Sequence, residues 1–335
     1  MEGGRYSPCP GAYPEQVPAP SSFVYSVGLR TRFRGLTTRD GVLLRGDAGW
    51  AEFSPFWDYG AAEARTWWCA ARESADSPWP APVRSQIPVN VTVPAVGPER
   101  AAQIVADGGG CRTAKVKVAE PGQSVADEQA RLEAVRGALG PGGHIRIDAN
   151  GAWDTDTALS RLVLLDKAAG GLEYVEQPCA TVAELAEVRR ATHVPVAADE
   201  SIRRATDPFE VARAQAADLM VLKVQPLGGV GAALRIAQEV GLPAVVSSAL
   251  ETSVGIAAGL ALAAALPELP YACGLGTVGL FADDVASPPL LPDGGYLPVG
   301  RVEPDPAALG RCEADATTIA RWQDRMATMT PGSST

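Results

Sequence analysis

The chain has 335 residues, 46% of them hydrophobic and 20% charged, enough for one large domain or two smaller ones with a real core. Its 29 basic and 39 acidic residues leave a formal net charge of −10, which argues against nucleic acid or an anionic membrane as a partner. Six scattered cysteines (Cys9, Cys69, Cys111, Cys179, Cys273 and Cys312) without a C-x-x-C pair predict reduced thiols in a cytoplasmic protein, and two histidines, His144 and His193, leave almost no material for a Ser-His-Asp triad or a His-based zinc site.

In chain order, residues 1–23 are rich in Pro, Gly and Ser and are expected to form a loose tail without a secretory signal pattern. Residues 24–87 carry "FVYSVGLRTRF", "GVLLRGDAGWAEFSPF" and "AAEARTWWCAAR", which predict an antiparallel sheet followed by a helix, with Trp67 and Trp68 in its core. From about residue 88, short β-branched runs alternate with helical stretches. Strands are predicted at 89–94, 113–118, 144–150, 173–178, 195–200, 218–224, 243–248 and 271–276. The apolar run "VGIAAGLALAAAL" at 254–266 is shorter than the ~20 residues a membrane span needs and reads as a core helix. "LLPDGGYLPVGRV" predicts a hairpin about its Asp-Gly-Gly turn. The expected architecture is α/β: a (β/α)7β TIM-like barrel over 88–285, joined to an α+β cap of residues 24–87 that 286–335 completes.

Chemistry in a parallel barrel gathers at the C-terminal ends of its strands. Those ends carry Lys115 and Lys117, then Asp148 and Asn150, Glu176, Asp199 and Glu200, Lys223, and Ser247 and Ser248. Asp148, Glu176 and Asp199 lie about one βα unit apart, so each is carried one strand further round and the three converge. Converging carboxylates repel unless a cation neutralises them, and a hard divalent ion, Mg²⁺ by default, suits oxygen ligands. Only four of the 29 basic residues are lysines, yet Lys115 and Lys117 share one strand face. An amine with a lowered pKa can act as a general base, which arginine cannot. A bound cation that holds a substrate carboxylate and a lysine that removes the α-proton make an enediolate chemistry.

These motifs resemble the enolase superfamily in its muconate-lactonising subgroup. The K-x-K of "KVKV", "DANGAW", the "EQP" of "EYVEQP", "ADES" and the lysine of "LKVQPLGG" stand in the family's order. The resemblance implies Asp148, Glu176 and Asp199 as ligands of Mg²⁺ (or Mn²⁺), Lys117 as base with Lys115 supporting it, and Lys223 as the opposed lysine. "LTTRDGVLLR", "GWAEFSPF", "SSALETSVG" and "GLGTVGLF" further resemble the actinobacterial members that dehydrate 2-succinyl-6-hydroxy-2,4-cyclohexadiene-1-carboxylate for menaquinone biosynthesis. That likeness implies a small carboxylate substrate contacted by Arg146, Asn150, Ser247 and Ser248, with Lys223 against the substrate ring. It leaves the oligomeric state open.

Racemisation of N-succinylamino acids and dipeptide epimerisation use the same enediolate and form the alternative reading. The adjacent Asp283 and Asp284 depart from the Asp-x-Asp that an epimerase presents to its dipeptide. A Schiff-base lyase or a barrel kept for binding alone are further alternatives from other classes.

Overall fold

The structure, a computed structural model, describes residues 21–205 and 207–329. Three antiparallel strands open the chain: β1 (Ser21–Phe33), β2 (Leu36–Gly46) and β3 (Gly49–Phe53). β1 takes in residues 21–23, which the sequence reading assigns to the tail; the rest of that tail, 1–20, lies outside the described residues. Helix 61–76 packs on this sheet through Trp68, edge-on to Phe53 of β3 at 5.2 Å, while Trp67 meets Phe56 and Tyr59 of the following loop at 5.9 and 5.7 Å.

β4 (Gln86–Pro88) leads into the parallel sheet β5 (Val91–Val93), β6 (Thr113–Lys117), β7 (His144–Asp148), β8 (Tyr174–Glu176), β9 (Val196–Ala198), β10 (Leu219–Leu222) and β11 (Ala244–Val246), hydrogen-bonded in that spatial order. The expected eighth strand is reduced to single-residue parallel bridges, Cys273 to Val89 and Gly274 to Ser247. They close the ring, since Asn90 N–H donates to Cys273 O at 2.9 Å and Gly274 N–H to Val246 O at 2.8 Å. The strands are buried on both faces, as parallel sheets require. Helix 253–265 is buried along nearly its whole length, and among the described residues no helix is long and apolar enough to cross a membrane.

The C-terminal segment differs from its expectation in its pairing. The expected hairpin turn forms, Asp293 and Tyr296 exchanging two backbone hydrogen bonds at 3.0 Å around Gly294 and Gly295, but β12 (Tyr296–Pro298) then takes β4 as its partner, pairing Leu297 with Ile87. Helices 306–312 and 316–327 follow, each capped by an aspartate, Asp305 and Asp315. The second drives Trp322 fully into the N-terminal sheet, where its indole donates to Asp40 at 2.8 Å. Residues 21–76 and 306–327 therefore build the cap together.

Glu73 fastens cap to barrel. Its carboxylate accepts from the amides of Val230 at 2.6 Å and Gly231 at 3.0 Å, the first turn of helix 230–240, where a carboxylate complements the unpaired N–H groups. Gly229, at φ +128°, leaves room for it: a Cβ there would lie 2.0 Å from Glu73 Oε2. Cys111, Cys179, Cys273 and Cys312 are free thiols, but Cys69 is disulfide-bonded, which corrects the expectation of wholly reduced cysteines.

Candidate active site

Register sets the site. Lys117 on β6 pairs with Asp148 on β7, and Asp148 with Glu176 on β8. Asp199 follows β9 and Lys223 follows β10, so one acid or lysine stands at each of five neighbouring strand ends. Strand alternation aims Lys115, Lys117 and Asp148 inward. The ammonium of Lys115 lies 3.1 Å from Asp148 Oδ2 and 2.7 Å from Glu176 Oε1. Lys117 Nζ is 2.6 Å from the same Asp148 oxygen and donates to Asn150 Oδ1. Lys223 Nζ is 2.6 Å from Asp199 Oδ2, whose other oxygen accepts from Arg203 Nε at 2.9 Å. Lys115, Asp148, Glu176, Asp199 and Lys223 are all buried.

Burial raises the pKa of each acid, and the lysines decide where the charge settles. Asp148 is driven well below the usual carboxylate range because Lys115 and Lys117 together outweigh its burial. Asp199 falls to about 2, with Arg203 and Lys223 outweighing burial. Glu176 rises to about 7, from burial and then from the charge of Asp148, which outweigh the ammoniums of Lys115 and Lys223. Lys115 rises, Asp148 and Glu176 overcoming its desolvation. The sequence reading expects at least one lysine of the pair to have a lowered pKa; Lys115 goes the other way because it is wedged between two acids.

Among the described residues no three His, Cys, Asp or Glu side chains already form a metal cage. The lysine ammoniums sit on the acids instead. The donor set nevertheless fits a hard divalent ion: three buried carboxylates, all oxygen, from three consecutive strand ends.

Above this cluster lies a cavity of about 460 Å³ at the junction of cap and barrel. Of the expected substrate contacts, Asn150, Ser247 and Ser248 line it. Arg146 does not. It shares the inward face with Asp148 but sits two residues deeper, where it ion-pairs with Glu173 and donates to Tyr174 Oη and Ala272 O, both at 2.8 Å. It is an internal plug of the barrel rather than a substrate contact. A larger cavity of about 570 Å³, between β1 and the 276–292 segment, holds none of the cluster.

The cap contributes residues that strand-end reasoning misses: Phe33 and Arg34 at the β1–β2 turn, and Phe56 after β3. Arg203 and Arg204 enter from the turn after Asp199, and Thr277 bonds Ser248 at 2.8 Å. Beneath the 248–252 segment, a buried polar network ties cap to barrel. Arg39 donates to Leu250 O at 3.0 Å, Glu52 accepts from Thr252 N at 3.0 Å, and Glu251 accepts from Ala249 N at 2.6 Å. Gln225 joins it to Ser54, accepting the Ser54 amide at 3.1 Å.

A barrel with acids ending three consecutive strands, opposed lysines and a two-ended cap defines a class. The enolase N-terminal domain-like family matches residues 24–75 and the enolase C-terminal domain-like family residues 98–307. The chain belongs to the enolase superfamily. It is 64% identical to the o-succinylbenzoate synthase of Thermobifida fusca, over 90% of this chain and 94% of that enzyme. The o-succinylbenzoate synthase of Mycobacterium tuberculosis is 53% identical over 91% of this chain and 92% of its own. Among solved structures, muconate lactonizing enzyme from Pseudomonas fluorescens superposes with a TM-score of 0.71 at 22% identity, covering 90% of this chain and 97% of its own. N-succinyl Arg/Lys racemase from Bacillus cereus gives 0.72 at 18%, covering 88% and 97%. At such identities these structures establish the fold alone.

Proposed function

We propose that the chain catalyses the syn dehydration of 2-succinyl-6-hydroxy-2,4-cyclohexadiene-1-carboxylate to o-succinylbenzoate, a step of menaquinone biosynthesis. The observation that carries this is the placement of Lys117 and Lys223 on opposite staves of one ring, β6 and β10, over a shared floor of three buried carboxylates. The relatives' shared name supports the choice of substrate.

Asp148, Glu176 and Asp199 would hold Mg²⁺ or Mn²⁺; such an ion, when bound, grips the substrate carboxylate and steadies the negative charge left by the α-proton. Lys117 takes that proton, and its side chain reaches the cavity between Asn150 and the Phe33 ring, 5.6 Å away. A base needs a free lone pair, so Asp148 must be engaged elsewhere in the reacting complex. The C–O bond to the ring hydroxyl then breaks, the proton on Lys117 goes to the departing oxygen, and water leaves as the ring becomes aromatic. Because elimination is syn, one residue serves both steps. Lys223 stays an ammonium against the ring and the enediolate.

Asp283 and Asp284 speak against a dipeptide substrate. Asp283 is taken by Arg311 at 2.8 and 3.0 Å, Asp284 is buried on Ser253, and neither lines the catalytic cavity. The test is a parallel assay of the purified protein in Mg²⁺ with the cyclohexadiene carboxylate and with an N-succinylamino acid. Dehydration dominating is the expected result; racemisation without dehydration would overturn the proposal.

A further inference from the structure

We propose that Arg34, at the tip of the β1–β2 hairpin, is the specificity residue that binds the substrate's distal, succinyl carboxylate, an inference that rests on the dehydration reading above. On that reading the substrate carries two carboxylates. One belongs at the acid–lysine cluster, and the other needs a cation of its own in the same cavity.

Among the described residues, six cationic side chains line that cavity. Lys115, Lys117 and Lys223 each lie within 2.7 Å of an acid. Arg203 spends its guanidinium on Asp199, Glu200 and the Tyr59 hydroxyl. Arg204 makes two contacts with Glu63, at 3.0 and 3.1 Å. Arg34 alone of the six has no close acid among the described residues: its carboxylate contact is with exposed Asp58 at 3.7 Å, with the Tyr59 hydroxyl at 3.5 Å. Its guanidinium lies over the Phe56 ring at 4.0 Å. The ring supports the guanidinium, both long contacts fall on Nη2, and among the described residues none takes Nε or Nη1, leaving part of a planar N–H fork to match a carboxylate.

The backbone points the same way. Phe33 pairs with Leu36, so Arg34 and Gly35 form a two-residue turn with φ of +51° and +75°. Such a turn favours Asn-Gly, and a long side chain in its first position is held there against local preference. Strained backbone of this kind clusters at ligand clamps, which agrees with a role for this side chain. Arg34→Asn therefore separates the two effects: it suits the turn and removes the cation.

The experiment is calorimetric titration in Mg²⁺ with o-succinylbenzoate and with 2-propanoylbenzoate, which keeps the ring carboxylate and lacks the distal one. Wild type is expected to bind o-succinylbenzoate ~10- to 100-fold more tightly, the range of a charge-assisted pair. Arg34→Ala and Arg34→Asn should abolish that preference while leaving 2-propanoylbenzoate within about twofold, Arg34→Lys should restore part of it, and Arg34→Asn should raise Tm. Equal weakening of both compounds, or of neither, overturns the assignment. If wild type binds neither compound and dehydrates nothing, the reading beneath it falls as well; dehydration by wild type with the preference intact in Arg34→Ala removes Arg34 alone.

Discussion

Lys117 and Lys223 face each other across the barrel mouth, each with its ammonium 2.6 Å from an aspartate, Asp148 and Asp199 respectively. Each lysine is thus fixed by an acid from the adjacent stave, and both line the cavity of about 460 Å³. On the proposed reaction, a flat carboxylate substrate entering there would present one face to each amine.

Lys115 should be a stability residue whose importance depends on divalent ions. Its ammonium is the buried counter-charge shared by Asp148 and Glu176. Replacing it by Met strands buried negative charge, a change that costs about 3–5 kcal/mol. A divalent ion at the acids would offset part of that loss, since ligands of the native state stabilise it by about 2.7 kcal/mol at a hundredfold excess over Kd. Urea unfolding of Lys115→Met should show a large deficit in EDTA and a markedly smaller one in Mg²⁺. The same deficit in both would argue that no ion sits on these acids.

Glu73 should hold the cap down. Its carboxylate satisfies two amides at the start of helix 230–240. Glu73→Ala leaves those donors without a partner, at a cost of about 1–3 kcal/mol. The expected result is a lower urea midpoint, with a smaller loss in Glu73→Gln because one acceptor remains. An unchanged midpoint in Glu73→Ala would show that water replaces the carboxylate without penalty.

Glu251 should make stability fall with rising pH. Burial, and then the charge of Glu52, push its carboxyl up to about 7, against the Ala249 amide that favours the ionised form. A raised native pKa means the folded state binds the proton more tightly than the unfolded one. Its contribution is full below the ordinary Glu range and is lost as pH climbs toward about 7. Glu251→Gln, neutral throughout, should gain on wild type between pH 5 and 8 by about 1–3 kcal/mol, one pKa difference being worth about 1.4 kcal/mol per unit. Thermal unfolding across that range reads the difference; parallel curves for the two proteins would contradict it.

The barrel and the acid–lysine cluster were legible because both follow from short-range periods. Alternation fixes the inward face of a strand, and one βα unit between acids carries each to the next stave. Depth along the barrel axis is not written in that phase, and so Arg146, correctly inward, ends one layer below the site against Tyr174. The closing strand, expected over 271–276, is found at that place but shrinks to bridges at Cys273 and Gly274, because a β-like run does not encode how many of its residues pair. The Asp-Gly-Gly turn before β12 forms as its residues predict, whereas the partner of β12, β4, stands some two hundred residues earlier and no local turn chemistry encodes that pairing. Arg34, Phe56 and Arg204 escaped for the same reason: they belong to the cap or to a turn, and only the docking of cap on barrel brings them to the cavity. The signal that could have found Arg34 is the Arg-Gly pair between two strands, where a tight turn favours Asn-Gly.

The most direct measurement is the rate of o-succinylbenzoate formation by Lys117→Ala in saturating Mg²⁺, with circular dichroism to confirm that it is folded. Removing a positioned general base that also serves as acid is expected to lower kcat by about 10²–10⁴-fold or more while leaving the affinity for o-succinylbenzoate near that of wild type. A folded Lys117→Ala protein that keeps kcat within a few-fold of wild type would contradict the assignment of the proton transfer to this amine.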